Sequence, residues 1–133
     1  TDVVVTSAID NPDATVYEVP IDAIPESAAA VDIGTITRQR YHEEMGECAS
    51  FFWNGPMGCF EDPRFGEGTL SLARAAAEIT KRGAFTVVGG GDSAAAVRQV
   101  GLSDAMSHVS TGGGAALEYL SSGRLPGISA LEG

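Results

Sequence analysis

At 133 residues the chain is the size of one ordinary domain, large enough for a single hydrophobic core. Its formal net charge of −10, with Lys81 the sole lysine, argues against non-specific nucleic-acid binding, which needs a basic surface. No apolar run is long enough to cross a membrane and no signal-peptide pattern is visible; the two cysteines, Cys48 and Cys59, lack metal-binding spacing and fit a reducing compartment.

Val3–Thr6 reads as a first strand, with a polar turn over Ser7–Ala14 and an edge-type strand over Thr15–Val19. A chain that opens mid-strand is expected to be the later part of something longer. Pro20 and Pro25 keep Ile21–Ser27 irregular. Ala28–Ile33 leads into Asp32-Ile33-Gly34-Thr35, where Thr35 or Thr37 would cap a helix through Arg38–Glu47. Ala49–Trp53 is the next strand, followed by a turn-rich loop, Asn54-Gly55-Pro56-Met57-Gly58-Cys59-Phe60-Glu61. Leu72, Ala73, Ala76 and Ile79 line one face of a predicted helix over Thr69–Arg82, which Gly83 stops. Phe85-Thr86-Val87-Val88 is a buried-strand pattern that breaks into Gly89-Gly90-Gly91, with a helix from about Asp92 to Val100. Ser107–Ser110 is a last short strand, running into Thr111-Gly112-Gly113-Gly114 and a helix over Ala115–Ser121 that ends at Gly123.

This βα rhythm predicts an α/β fold, a mostly parallel sheet flanked by helices in a Rossmann-like three-layer arrangement. Loops after successive parallel strands open on the same edge, so the three glycine-bearing loops should converge on one crevice. Strand, glycine turn and helix N-terminus together form an anion site, most often for phosphate. Asp92 is then either a helix cap or a ligand for the Mg²⁺ that accompanies phosphates. Ser110 and Thr111 read equally as phosphate contacts or as a Ser/Thr turn. Glu61 reads as a solvated acid or as an acceptor for a ribose diol; Trp53 and Phe60 read as core. His42 and His108 fit packing or surface better than catalysis, and Cys59 has no sequence-near basic partner. Two nucleotide motifs are not met. From Gly89 the chain reads Gly-Gly-Gly-Asp-Ser-Ala, without the spacing or the later acid of a dinucleotide fold, and Lys81 lies at a helix end rather than in a P-loop.

Trp53-Asn-Gly-Pro-Met-Gly-Cys-Phe-Glu61, Gly89-Gly-Gly-Asp-Ser93 and Ser107-His-Val-Ser-Thr-Gly-Gly-Gly-Ala115, in that order, resemble the phosphoglycerate kinase family. Asp2-Val-Val-Val5, Asp32-Ile-Gly34 and the tail Leu125-Pro-Gly-Ile128 extend the resemblance over essentially the whole chain. It implies that residues 1–133 are the later part of the nucleotide-binding, C-terminal domain of a two-domain kinase. The implied activity is reversible phosphoryl transfer between 1,3-bisphosphoglycerate with ADP and 3-phosphoglycerate with ATP, in glycolysis. The implied cofactors are ATP or ADP with Mg²⁺. In this resemblance Asn54, Gly55, Pro56, Gly58 and Cys59 shape the nucleotide pocket, and Glu61 holds the ribose hydroxyls. Gly89, Gly90, Gly91 and Ser93 form the phosphate loop, and Asp92 is the Mg²⁺-nucleotide ligand. Thr111, Gly112, Gly113 and Gly114 cradle the phosphoryl group in transit, so Gly113→Val should block turnover while leaving MgADP affinity nearly intact.

Two departures stand out. The family's Asp-Ile-Gly-Pro-Lys-Thr appears here as Asp32-Ile33-Gly34-Thr35-Ile36-Thr37, and Cys59 replaces a more usual Val. The three loops also hold neither Lys nor Arg, although phosphoryl transfer needs cations on the moving group. The resemblance places those cations in an earlier lysine-bearing glycine loop and in a basic N-terminal domain that holds 3-phosphoglycerate. It implies a cytoplasmic enzyme, monomeric at full length, with small-molecule partners and neither nucleic acid nor membrane. The 133-residue chain alone is expected to be inactive, and a non-catalytic nucleotide-binding module is the alternative.

Overall fold

The structure is a computed structural model and describes residues 1–123; the tail motif Leu125–Ile128 lies outside the described residues. Two sheets organise it. β1 (Asp2–Thr6) is the middle strand of an antiparallel sheet, between β2 (Val16–Pro20) and β3 (Ala29–Ile33). Val4, Val5 and Thr6 are buried, as the β-branched run requires. The second sheet is parallel, in the order β4 (Ser50–Asn54), β5 (Phe85–Gly89), β6 (His108–Ser110). Among the described residues four α-helices accompany these strands: α1 (Thr35–Met45), α2 (Glu67–Lys81), α3 (Gly91–Gln99) and α4 (Gly113–Ser122). The parallel sheet and its helices are what the βα rhythm predicts. That rhythm carries no signal for the separate antiparallel sheet, whose strands are joined without an intervening α-helix.

The main core lies under the parallel sheet. Trp53 and Val88 pack with Leu72, Ala73, Ala76 and Ile79 of α2, and with Met45, Val97 and Met106. The apolar stripe read from α2 is therefore the face it buries. A smaller cluster of Val4, Val31 and Phe65 closes the antiparallel sheet against the segment before α2.

Both α1 and α2 are capped from a distance. Neither Thr35 nor Thr37 caps α1; the cap is the buried carboxylate of Asp2, which accepts the N–H groups of Ile36 (3.0 Å) and Thr37 (2.7 Å). Thr37 Oγ1 also donates to Asp2 Oδ1 (2.7 Å) and accepts the Asp2 N–H (3.0 Å). Gly34 makes room, since a Cβ there would stand 2.3 Å from Asp2 Oδ2. Within α1 only Thr37 and Met45 are buried, so this cap and the packing on α2 hold a helix that has no continuous apolar face. α2 starts two residues before the predicted Thr69 because Asp32 Oδ2 accepts the Gly68 N–H at 2.7 Å. Its glycine start hides this from a propensity reading.

Candidate functional site

The three strand ends lie level, with Asn54 opposite Gly89 and Gly89 opposite Ser110. The loops that follow consequently leave from one edge, and they touch. Gly90 takes φ +97° and donates its N–H to the Ser110 carbonyl at 3.1 Å. A Cβ on Gly90 would stand 2.4 Å from Asn54 Oδ1. A Cβ on Gly113 would stand 2.4 Å from the Gly90 nitrogen and 2.8 Å from Asn54 Oδ1. Gly55 donates its N–H to Ser93 Oγ at 2.7 Å, which ties the first loop to α3. The expected convergence is therefore present, and it is built on close backbone approach that side chains would prevent.

Gly91, Asp92 and Ser93 form the first turn of α3, and the first intrahelical bond runs from the Ala94 N–H to the Gly90 carbonyl. α3 and α4 both begin without a side-chain cap. Two helix N-termini, each with N–H groups the helix cannot satisfy, thus open on the same edge. Their dipoles favour an anion there, and the exposed Gly91, Asp92, Thr111, Gly112 and Gly114 surround it.

Several expected site residues have side chains or positions taken up within the fold. Gly89 is buried in β5, with Phe52 3.1 Å from where its Cβ would be. The Ser93 hydroxyl is fully buried on Gly55. Gly113 and Gly114 are not loop residues but open α4, and Gly113 is buried. Ser110 Oγ accepts the Gly112 N–H at 3.2 Å, the Ser/Thr-turn alternative. Trp53 is buried as expected, its indole N–H bonded to the Gly55 carbonyl, while Phe60 is half-buried. His108 is exposed, and His42 lies 3.6 Å from Glu78 on the surface.

The Asn54–Glu61 loop is fixed at several points. The Met57 N–H donates to Thr69 Oγ1 (3.0 Å) and the Cys59 N–H to the Val31 carbonyl (2.9 Å). Gly58 packs inward, where a Cβ would stand 2.5 Å from Asp32 Oδ1. Pro56 is half-buried, and Cys59, a free thiol, is exposed. Glu61 is exposed on a surface groove whose other walls include Ile9, Pro12, Cys59, Pro63 and Arg64. Arg64 reaches Asp62 (2.6 Å) and the carbonyls of Ile9 and Asn11 (2.8 Å each), bracing this groove. Its hydrogen bonds hold the Asp62 carboxyl below the usual carboxylate range. The contacts that Asp32 makes to Gly68 and Thr69 to Met57 leave no local signal in the sequence, since the partners are 36 and 12 residues apart.

The family model for phosphoglycerate kinase matches residues 1–123. The chain belongs to that family. It is 50% identical over 132 residues to the phosphoglycerate kinase of Thermosynechococcus vestitus, covering 99% of this chain and 33% of that protein. With the Rhodococcus erythropolis phosphoglycerate kinase the identity is 52% over 133 residues, again 99% and 33%. Among solved structures, phosphoglycerate kinase from Coxiella burnetii superposes with a TM-score of 0.85 at 41% identity, over 96% of this chain and 32% of the other. The Pyrococcus horikoshii phosphoglycerate kinase gives 0.79 at 31% identity, over 98% and 31%. The chain spans about a third of the length of the family members it matches. Among the described residues, no helix is long and apolar enough to cross a membrane.

Asp92 stands in the first turn of α3. It offers one exposed carboxylate beside a helix N-terminus, and no group of three acidic, His or Cys side chains occurs among the described residues. One protein carboxylate completed by phosphate oxygens and water is how Mg²⁺ is commonly held.

Proposed function

We propose that the whole protein of which this chain forms about a third transfers a phosphoryl group between 1,3-bisphosphoglycerate and MgADP, giving 3-phosphoglycerate and MgATP. One observation carries this reading: the N-termini of α3 and α4 and three glycine loops meet at one edge of the parallel sheet. In the forward direction an ADP β-phosphate oxygen attacks the acyl phosphorus in line. The bond from phosphorus to the carboxyl oxygen breaks, and a carboxylate leaves. Backbone N–H groups of Gly91, Asp92 and Ser93 bind nucleotide phosphates, and those of Gly113 and Gly114 face the phosphoryl group in transit, beside Thr111 and Gly112, whose own N–H is held by Ser110 Oγ. Asp92 holds Mg²⁺, which when bound neutralises charge on the phosphate oxygens. Asn54, Gly55, Pro56, Gly58 and Cys59 shape the nucleotide side, and Glu61 accepts the ribose hydroxyls. Catalysis by positioning and charge suits groups that carry no nucleophile.

In this reading the remaining cations and the 3-phosphoglycerate site come from elsewhere in a monomeric, cytoplasmic glycolytic enzyme. The absence of Lys and Arg from residues 54–61, 89–93 and 110–114 favours a second reading, a nucleotide-binding module without catalysis. A coupled assay of the intact polypeptide with 1,3-bisphosphoglycerate and MgADP separates the two. Turnover supports the kinase; MgADP binding without turnover supports the module.

A further inference from the structure

We infer that Asp32 is a positioning residue for the nucleotide-facing loop Asn54–Glu61, acting through the start of α2; this rests on the nucleotide reading above. Asp32 is the next-to-last residue of β3, is 5% exposed, and lies against the start of α2 and Gly58 of the loop. Its Oδ2 accepts the Gly68 N–H at 2.7 Å, and its Oδ1 accepts the Ile33 N–H at 2.8 Å. Oδ1 also fills the space that the missing Cβ atoms of Gly58 and Gly68 leave open, at 2.5 and 2.1 Å from those positions. One carboxylate therefore touches both the loop and the first turn of α2. From that turn the neighbouring Thr69 hydroxyl, itself fully buried, accepts the Met57 N–H at 3.0 Å. From the strand before Asp32, the Val31 carbonyl accepts the Cys59 N–H at 2.9 Å. Gly58 is thus flanked on both sides by residues bonded to elements that Asp32 joins.

A buried carboxylate is a costly way to cap a helix, and burial pushes the Asp32 carboxyl up despite its two backbone hydrogen bonds. An apolar residue would fill the same space more cheaply, but it could not bind α2 to β3 at a fixed distance. That distance separates the loop's two anchor points, the Thr69 hydroxyl that holds Met57 and the Val31 carbonyl that holds Cys59. Asp2 provides a built-in comparison. It caps α1 through the same kind of contact but makes no hydrogen bond to the Asn54–Glu61 loop.

The test uses the full-length protein with Asp32→Asn, the isosteric Thr69→Val, and Asp2→Asn as the control. Asn keeps the shape of Asp32 but turns an amide NH₂ toward one of the two N–H groups. Asp32→Asn and Thr69→Val should each raise the KM for MgADP about tenfold, the value of one charge-assisted or buried hydrogen bond, with kcat within about twofold. Amide exchange at Met57 and Cys59, measured without nucleotide, should speed up in both. Asp2→Asn should lower the melting temperature while leaving the KM and the exchange at 57–59 at wild-type values. If Asp32→Asn lowers melting temperature only, with unchanged KM and unchanged exchange at Cys59, Asp32 is a helix cap and the inference is overturned. Faster exchange in a protein whose wild type neither binds MgADP nor turns over would instead overturn the nucleotide reading. Thr69→Val leaves the carboxylate in place, so it still tests the harness if Asp32→Asn does not fold.

Discussion

Gly113 does not take a positive φ, so its identity answers to what stands beside it. With Gly90 backbone 2.4 Å from where a Cβ would lie, a side chain there must push the α3 loop and the start of α4 apart. Gly113→Val is accordingly expected to weaken MgADP binding as well as to cut turnover by about 100-fold or more, the scale of losing a preorganised donor. Isothermal titration beside the coupled assay distinguishes this from a pure block of the phosphoryl path, which would spare affinity. Gly114 is the cleaner probe, because its Cβ would meet open space. Gly114→Ala should keep melting temperature and nucleotide affinity while lowering kcat about tenfold through crowding of the phosphoryl position. Unchanged kcat would make the α4 start a structural turn only. Glu61→Gln is expected to weaken nucleotide binding by about 1.5–3 kcal/mol, the range for hydrogen bonds to a charged group. A 2′,3′-dideoxy nucleotide should then bind wild type and mutant alike; a mutant that still discriminates as wild type does would remove Glu61 from the ribose.

The helices differ in how much of them a sequence can reveal. α2 and α3 were legible because Leu72, Ala76 and Ile79 recur at helical spacing and because Lys81 and Gly101 mark the ends. The starts of α1 and α2 were not, since Asp2 and Asp32 reach them through tertiary structure across 34–36 residues. A local rule assigns caps to neighbours such as Thr37, which here supports the capping acid instead. The site divides the same way. Converging loops follow from parallel strands, but that Ser93 and Gly58 face inward depends on contacts between motifs, Ser93 with Gly55 and Gly58 with Asp32, that no single motif encodes. The Asp2 cap also has a pH signature. Burial pushes its carboxyl up, yet the Thr37 hydroxyl and the Ile36 and Thr37 N–H groups outweigh it and hold the folded value below 3.8. A depressed folded value means stability that is complete above the unfolded pKa and lost as pH falls through the folded one. Melting curves of wild type and Asp2→Asn should therefore lie apart near neutral pH and converge in acid well below pH 3.8. A constant gap across that range would remove the carboxylate's charge from the cap.

For the whole molecule, the loops supply backbone N–H groups and two carboxylates, Glu61 and Asp92, and no cation lies in residues 54–61, 89–93 or 110–114. The isolated 133-residue chain is expected to show no phosphoryl transfer in the coupled assay, and robust turnover would overturn the assigned roles. One more consequence follows from the order β4-β5-β6. Both outer strands pair on one side only among the described residues. Among those residues each edge presents a row of backbone donors and acceptors that another copy could pair with. Phe51, Phe52 and Met45 line an apolar groove alongside β4, which adds adhesion to that template. Mutual repulsion between chains carrying −10 each opposes that pairing. Light scattering of the isolated chain should thus rise with added salt, which screens that repulsion. It should rise most steeply at about pH 4, where carboxylates take up protons. The acidic surface acts as the chain's colloidal barrier, standing in for covered edges.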